Sequence, residues 1–336
     1  MPPSIPVTGA VALALTAIAF AATRLFYMRR IAQSSDENSK LVTELQNLRA
    51  SLSPVEYGYR EEWKAFAARH TEFTRRFVNI GKAVDVAFQR IHKTTTPTER
   101  TIYFLGRLAV EDFMEMFLLC ANGYGIGAQK LIRGMYERAV TARYLYKYPE
   151  ETDNYLAFHR VTDHKLMIAI QSSPIGGDVF PPEKVEKIKR EFETVKARFM
   201  ISDCKVCKTI RLNHTWTKVD VVSMARMADK NLSLMVVPAY IVPTREFHST
   251  LGAIFSRLDP EAAARNEGLL FDGAAQRDRA DQSLITGCNL LLNVLDLQRE
   301  VFHIQELEPL LQICFEDFRA LLKEQKERDA RLAQTK

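Results

Sequence analysis

The chain lacks the features that usually announce a chemistry. It contains no Gly-x-Gly-x-x-Gly, no Walker loop and no Gly-x-Ser-x-Gly elbow, which removes the familiar nucleotide-dependent and hydrolase frameworks. It has only five cysteines, an odd number placed mostly within apolar helical patterns. Such thiols suit reduced, core-filling roles in the cytoplasm rather than a disulfide framework. No low-complexity tract, internal repeat or sustained period-2 alternation is present, so neither a repeat array nor a sheet-based fold is expected. The formal net charge of +5 is too small to argue for nucleic acid. Charge is also missing locally, since no Asp, Glu, Lys or Arg precedes Arg24.

That uncharged start is the strongest positive signal. Residues 7–22 are apolar apart from Thr8, Gly9 and Thr16, and Leu25, Phe26, Tyr27 and Met28 extend the run. A helix needs about 20 such residues to cross a bilayer, so residues 7–28 suffice if Arg24 snorkels to the interface. Arg24, Arg29 and Arg30 all lie on the C-terminal side. The positive-inside rule then puts the N-terminus outside and the rest of the chain in the cytoplasm, as a single-pass membrane protein. A cleaved signal peptide is the rival reading, since Ala19-Phe20-Ala21 resembles a cleavage site. A signal peptide, however, carries its positive charge before the apolar run. The expected partner of residues 7–28 is the lipid bilayer itself.

Three segments follow from this reading: an anchor over 1–31, a linker with a short amphipathic helix over 32–56, and a helical domain over 57–336. In the linker, Leu41, Leu45, Leu48 and Leu52 form a heptad-like stripe that ends at Pro54. It would support weak coiled-coil homodimerisation beside an anchor, or packing on the protein's own body. With 47% hydrophobic and 26% charged residues the remainder is globular in composition. Helical period predicts elements over 61–92, from Thr96-Pro97-Thr98-Glu99 to 122, and over 126–147, 150–171 and 182–200. Residues 201–216 read as irregular, 219–229 and 244–257 as short helices, and 259–281 as a loose charged loop. Two final helices are expected over 283–302 and 307–332. The fold class is all-α, a multi-helix bundle of antiparallel hairpins preceded by one transmembrane helix.

The helix over 126–147 carries the most chemical interest. Ala128, Ile132, Met135, Ala139, Ala142 and Tyr146 make one apolar stripe, while Arg133 and Glu137 lie opposite with Val140 and Tyr144. Apolar residues on two sides imply packing from two directions, with an Arg133–Glu137 pair partly buried between them. Architecturally, the pair would orient packed helices, although Arg before Glu is the weaker order at i,i+4. Functionally, it would be an arginine fork held by a carboxylate and aimed at a phosphate or other anion.

The run from Gly125 through Arg133 and Glu137 to Tyr146 resembles the central signature of an uncharacterised bacterial all-helical family, the domain of unknown function numbered 5677. The resemblance covers roughly residues 84–303 and implies an all-helical cytoplasmic domain with no established activity. It pairs the Arg-x-x-x-Glu helix with a downstream Tyr, a Ser/Thr-rich helix start and a His. Tyr240, Thr244 and His248 stand at the fitting places; Tyr240 and Thr244 are candidate ligand-binding residues and His248 a candidate catalytic one beside Arg133 and Glu137. The anchor is not part of that pattern. His248 is expected in the first turns of a helix capped by Thr244, where a helix N-terminus favours anions and a neutral imidazole acts as base. A buried histidine bonded to a carbonyl is the plainer alternative.

Sharper motifs fail. The Arg–His spacing of HEPN-type ribonucleases is missing, because Arg160–His164 and Arg299–His303 have only three intervening residues. Cys204-Lys-Val-Cys207 with His214 lacks a fourth zinc ligand. Glu111, Asp112 and Glu115 lack the Glu-x-x-His partners of a di-iron bundle, and His159 and Asp163 read as a surface pair. No metal and no cofactor are expected. The first functional reading is a membrane-tethered interaction or sensor module, in bacterial stress or phage defence. The second is an enzyme or binder acting on a phosphate-containing substrate, with Arg133 as anion clamp, Glu137 as its orienter and His248 as acid or base. Convergence of those three residues on accessible surface separates the two. Lipid or small-ligand binding between the helices is a third reading.

Overall fold

The structure is a computed structural model that describes residues 40, 42–43, 59, 61–88, 93–174, 179–202, 210–248, 250–258 and 273–334. Contacts divide the chain into two units, Met1–Tyr57 and Gly58–Lys336. Of the first, only Lys40, Val42 and Thr43 are described, and they are helical. The expected membrane helix over 7–28 lies outside the described residues, as do all four leucines of the heptad-like stripe. Among the described residues no helix is long and apolar enough to cross a membrane.

The second unit is built from helices, as its periodicity predicts. The expected single helix over 61–92 is instead two, α1 (Glu62–Arg69) and α2 (Thr71–Phe88), broken at His70. The break has a long-range cause. The His70 imidazole is fully buried and its Nε2 lies 2.7 Å from Asp281 Oδ1, which fixes this residue off the helical path. By contrast α3 (Pro97–Ala121) starts where local signals put it, with a reciprocal Thr96–Glu99 capping box and Pro97 in the first turn. Gly123, at φ 77°, makes the left-handed turn into α4 (Gly125–Lys147).

After a 3-10 turn at Pro149–Glu151 comes α5 (Thr152–Gln171), then α6 (Pro182–Glu193) and a second 3-10 turn at Lys196–Phe199. In the stretch read as irregular, β1 (Met200–Ser202) pairs antiparallel with β2 (Ile210–Leu212), Met200 opposite Leu212. Three residues per strand are too few to register as period-2 alternation. Next are α7 (Val221–Ala228) and α8 (Lys230–Leu234), N-capped by Asp220 and Asp229. A π turn at Val237–Ile241 leads into α9 (Val242–Phe247), and α10 (Leu251–Phe255) is separately capped by Thr250. The chain closes with α11 (Arg277–Phe302) and α12 (Leu307–Gln334).

The core lies between α3, α4 and α11, with α2 and α12 closing one side. Phe77 of α2 stacks on Phe117 of α3 at 4.4 Å, beside Phe73 and Phe113. Phe73 and Phe113 are fully buried, and burial of each contributes roughly 1.5–3 kcal/mol. A smaller cluster joins Phe158 of α5 to Phe192 of α6 and Phe199. Cys120, Cys288 and Cys314 are buried free thiols within the main core, as the helical pattern of the cysteines suggests.

Candidate functional site: a guanidinium between a carboxylate and an imidazole

Packing from two directions determines what α4 can display. Ala128, Ile132, Met135, Ala139 and Ala142 are buried on one side, and Val140 and Tyr144 on another. Tyr146, expected in the buried stripe, is instead 44% exposed near the end of the helix. Between these faces Arg133 stays partly open, at 23% side-chain exposure, and Glu137 at 39%.

Arg133 Nε donates to Glu137 Oε1 at 3.0 Å, and Arg133 Nη1 lies 3.3 Å from His248 Nε2. A guanidinium can only donate, so a hydrogen bond here requires Nε2 as the acceptor, the tautomer that carries its proton on Nδ1. The guanidinium carbon also sits 5.4 Å from the ring centroids of both Tyr240 and Phe247, within cation–π range. Nη2 makes no hydrogen bond with the described residues. The result is a cation fixed by one carboxylate, one imidazole and two aromatic faces, with donor capacity left over.

The aromatic partners Tyr240 and Phe247 come from one helical run, residues 230–247, with a turn at Met235 and shaped by two prolines, and His248 follows its last residue. Within it the Val242 N–H donates to Val237 O, five residues back, giving the π turn. This wider turn takes up the disturbance around Pro243, which has no N–H to give and would clash with the preceding turn of a regular α-helix. Tyr240, Thr244 and Phe247 then share a face at steps of four and three. Tyr240 is set beside Tyr136, at 6.0 Å between ring centroids. Tyr136 is itself fully buried and donates through its hydroxyl to Leu232 O at 2.9 Å. Burial pushes the Tyr136 phenol far above its ordinary value, so it remains a neutral donor.

The expected placement of His248 needs correction. It does not lie in the first turns of a helix capped by Thr244 but follows the last residue of α9, with φ −85° and ψ 151°. The helix begins upstream of Thr244, whose hydroxyl is spent on Tyr240 O at 2.5 Å. His248 therefore sits at a carbonyl end, where no free amide groups are available to an anion. Nor is it the buried histidine of the plainer alternative, because it is exposed. Its link to the site is the contact with Arg133.

The other residues singled out in the sequence take structural places. Arg107 pairs with Glu111 at 3.7 Å, and Asp112 pairs with Arg138. His159 and Asp163 form an exposed pair at 3.2 Å. Among the described residues no group of His, Cys, Asp and Glu is arranged to hold a metal ion. Cys204 and Cys207 lie outside the described residues.

Sequence reasoning missed Phe247 as the second aromatic face, and it missed a buried ionic network. In that network Asp281 accepts from Arg328 Nη2 at 2.9 Å while contacting His70, and Arg277 grips Glu62 through Nε and Nη2. The network ties α1, α11 and α12 together. Asp281 falls in the segment that reads as a loose loop, so nothing local marked it.

The molecule is thus an all-α, multi-helix protein with a polar cluster where the helical run 230–247 crosses α4. Residues 102–265 carry the match to a known family, the family of unknown function DUF5677, which is the family the run around Arg133 resembles. That span includes Arg133, Glu137, Tyr240, Thr244 and His248. No curated protein and no solved structure matches the chain.

Proposed function

We propose that the Arg133 cluster is a binding site for a phosphate-bearing ligand on a membrane-tethered helical module, with His248 as its proton carrier. The observation that carries this reading is the 3.3 Å contact between Arg133 and His248, residues 115 positions apart, on accessible surface. A module that only docks partners has no need of such a contact. A purely architectural ion pair would be satisfied by Glu137 alone. The guanidinium has N–H groups in a fork suited to phosphate oxygens, and Tyr240 and Phe247 hold its plane in place. A phosphate drawing on the Nη1 and Nη2 donors releases His248 Nε2 from its acceptor role and leaves it within reach of a reacting oxygen. Glu137 keeps the fork oriented, and Thr244 fixes the backbone beneath Tyr240.

The test compares the full chain with Arg133→Ala, Glu137→Gln and His248→Ala. Measured quantities are the melting temperature, calorimetric binding of ATP and inorganic phosphate, and cleavage of total cellular RNA and nucleotides. Arg133→Ala is expected to abolish binding while costing about 1 kcal/mol of stability or less. His248→Ala should retain binding and slow turnover by about 10²–10⁴-fold, the usual worth of a general acid or base. Wild type that neither binds nor cleaves any of these probes, together with variants that only melt earlier, would make the cluster architectural.

A further inference from the structure

A second site lies one helical turn along α4 from Arg133, and none of the residues of the Arg133 cluster lines it. A cleft of about 290 Å³ opens between α4, the π turn with the start of α9, and α11. Ile132, Val237, Pro238, Val242 and Ile285 make its wall largely apolar. The polar groups that interrupt this wall are unusual in what they leave undone. Gln129 is 4% exposed, and its Oε1 is buried without a hydrogen-bond partner. Native proteins rarely tolerate a buried amide oxygen that has given up water and received nothing.

Two hydroxyls on α11 also face the cleft. Ser283 spends its proton on Gly125 O at 3.4 Å and Thr286 on Gln282 O at 2.8 Å, so both oxygens remain as acceptors. Arg279, one turn before Ser283 on the same helix, makes no hydrogen bond or ion pair with the described residues. The polar side of the cleft therefore consists of the Gln129, Ser283 and Thr286 acceptor oxygens, the Gln282 amide at the exposed rim and one uncommitted cation. Its complement is a molecule with one negative charge, at least one N–H or O–H donor, and an apolar remainder.

We propose that this cleft binds a small monoanionic carboxylate carrying an N–H donor and an apolar side group, the chemistry of an N-acylated apolar amino acid. The carboxylate pairs with Arg279, the amide N–H satisfies Gln129 Oε1, and the side group lies on Ile132, Val242 and Ile285. A single guanidinium matches a single charge. A phosphate monoester would bring close to two charges against a single guanidinium, and three acceptor oxygens against the acceptor oxygens of Gln129, Ser283 and Thr286. The volume stands at the lower edge of the roughly 300–1,000 Å³ of small-molecule sites, which fits an acylated amino acid and leaves no room for a lipid.

Calorimetry on the full chain with N-acetyl-L-phenylalanine tests this directly. N-acetyl-L-phenylalanine amide removes the charge, 3-phenylpropionate removes the N–H donor, and phenyl phosphate exchanges the acid. Wild type should bind the first compound and hold each of the others at least about tenfold more weakly, a loss of about 1.4 kcal/mol or more. Arg279→Gln should weaken binding by a similar factor without changing the melting temperature, because Arg279 has no partner to lose. Ile285→Trp should block the cleft, and Arg133→Ala should leave affinity intact, which separates this site from the phosphate site proposed above. Absence of N-acetyl-L-phenylalanine binding to folded wild type, unchanged affinity in Arg279→Gln, or tighter binding of phenyl phosphate would each overturn the proposal.

Discussion

At the scale of single residues, Asp112 carries a pH dependence that its surroundings make calculable in sign. Burial against α3 and α4 pushes its carboxyl up from 3.8 to about 6, the pull of Arg138 being smaller than the desolvation and the push of Glu115 adding to it. A carboxyl raised by folding favours the protonated native state. Its contribution is complete below about pH 3.8 and is lost as pH rises through about 6. Relative to wild type, Asp112→Asn should therefore gain about 1–2 kcal/mol of stability between acid and neutral pH. Urea unfolding of both proteins at about pH 4 and about pH 7 measures this, and a relative stability that moves the other way would refute it. The same scale shows what the sequence made legible at the site. Arg133 and Glu137 are four residues apart on one helix, and their pairing is local geometry. His248 reaches them across 115 positions, and its approach depends on a helix whose start the two prolines conceal.

Whole elements were legible where their ends are set by nearby residues. The start of α3 follows from the Thr96 and Glu99 side chains, and the turn before α4 from Gly123. Elements set by distant contacts were not legible. The interruption between α1 and α2 depends on Asp281, 211 residues from His70. The early start of α11, with Arg279 and Asp281 on its face, hides behind a charged composition that reads as loop. The closest helix approach in this region depends on a glycine whose sequence context is unremarkable. A Cβ on Gly125 would meet Ala280 N and Gln276 O, both backbone atoms of the first turn of α11, at 2.4 Å. Backbone there cannot step aside as a side chain tip can, so Gly125→Ala should cost about 1–3 kcal/mol. A Cβ on Gly127, two residues on, would meet only side chains at ordinary contact distance, Leu119 at 3.4 Å and Tyr124 at 3.7 Å. Gly127→Ala should instead stabilise the helix by about 0.5–1 kcal/mol. Thermal unfolding of the two variants side by side checks the contrast, and shifts of the same sign would show that the approach of α4 to α11 is not what it requires.

At the scale of the whole molecule, the family match and the folded unit do not coincide. The match over 102–265 holds the cluster around Arg133, yet α2 and α11 outside it supply Phe77, Leu284, Leu291 and Leu295 to the same core. Helical period revealed those helices because their buried faces repeat, whereas periodicity carries no information on which faces meet. No described helix is long and apolar enough to span a bilayer, so the proposed integral attachment would rest on residues 7–28, an apolar run interrupted by Arg24 and closed by Arg29 and Arg30. The hydrocarbon core requires about 20 such residues, and the arginines favour the cytoplasmic face. The full chain should therefore stay with membranes through an alkaline carbonate wash and leave them only in detergent. A chain without residues 1–39 should be recovered in the soluble fraction with an unchanged melting transition. Protease added to the outer, non-cytoplasmic face should spare the helical body, and added to the cytoplasmic face should digest it. A full chain released by carbonate, or a body cleaved from the outer side, would remove the anchor or invert it, and in the second case would place the Arg133 cluster away from cytoplasmic phosphate compounds.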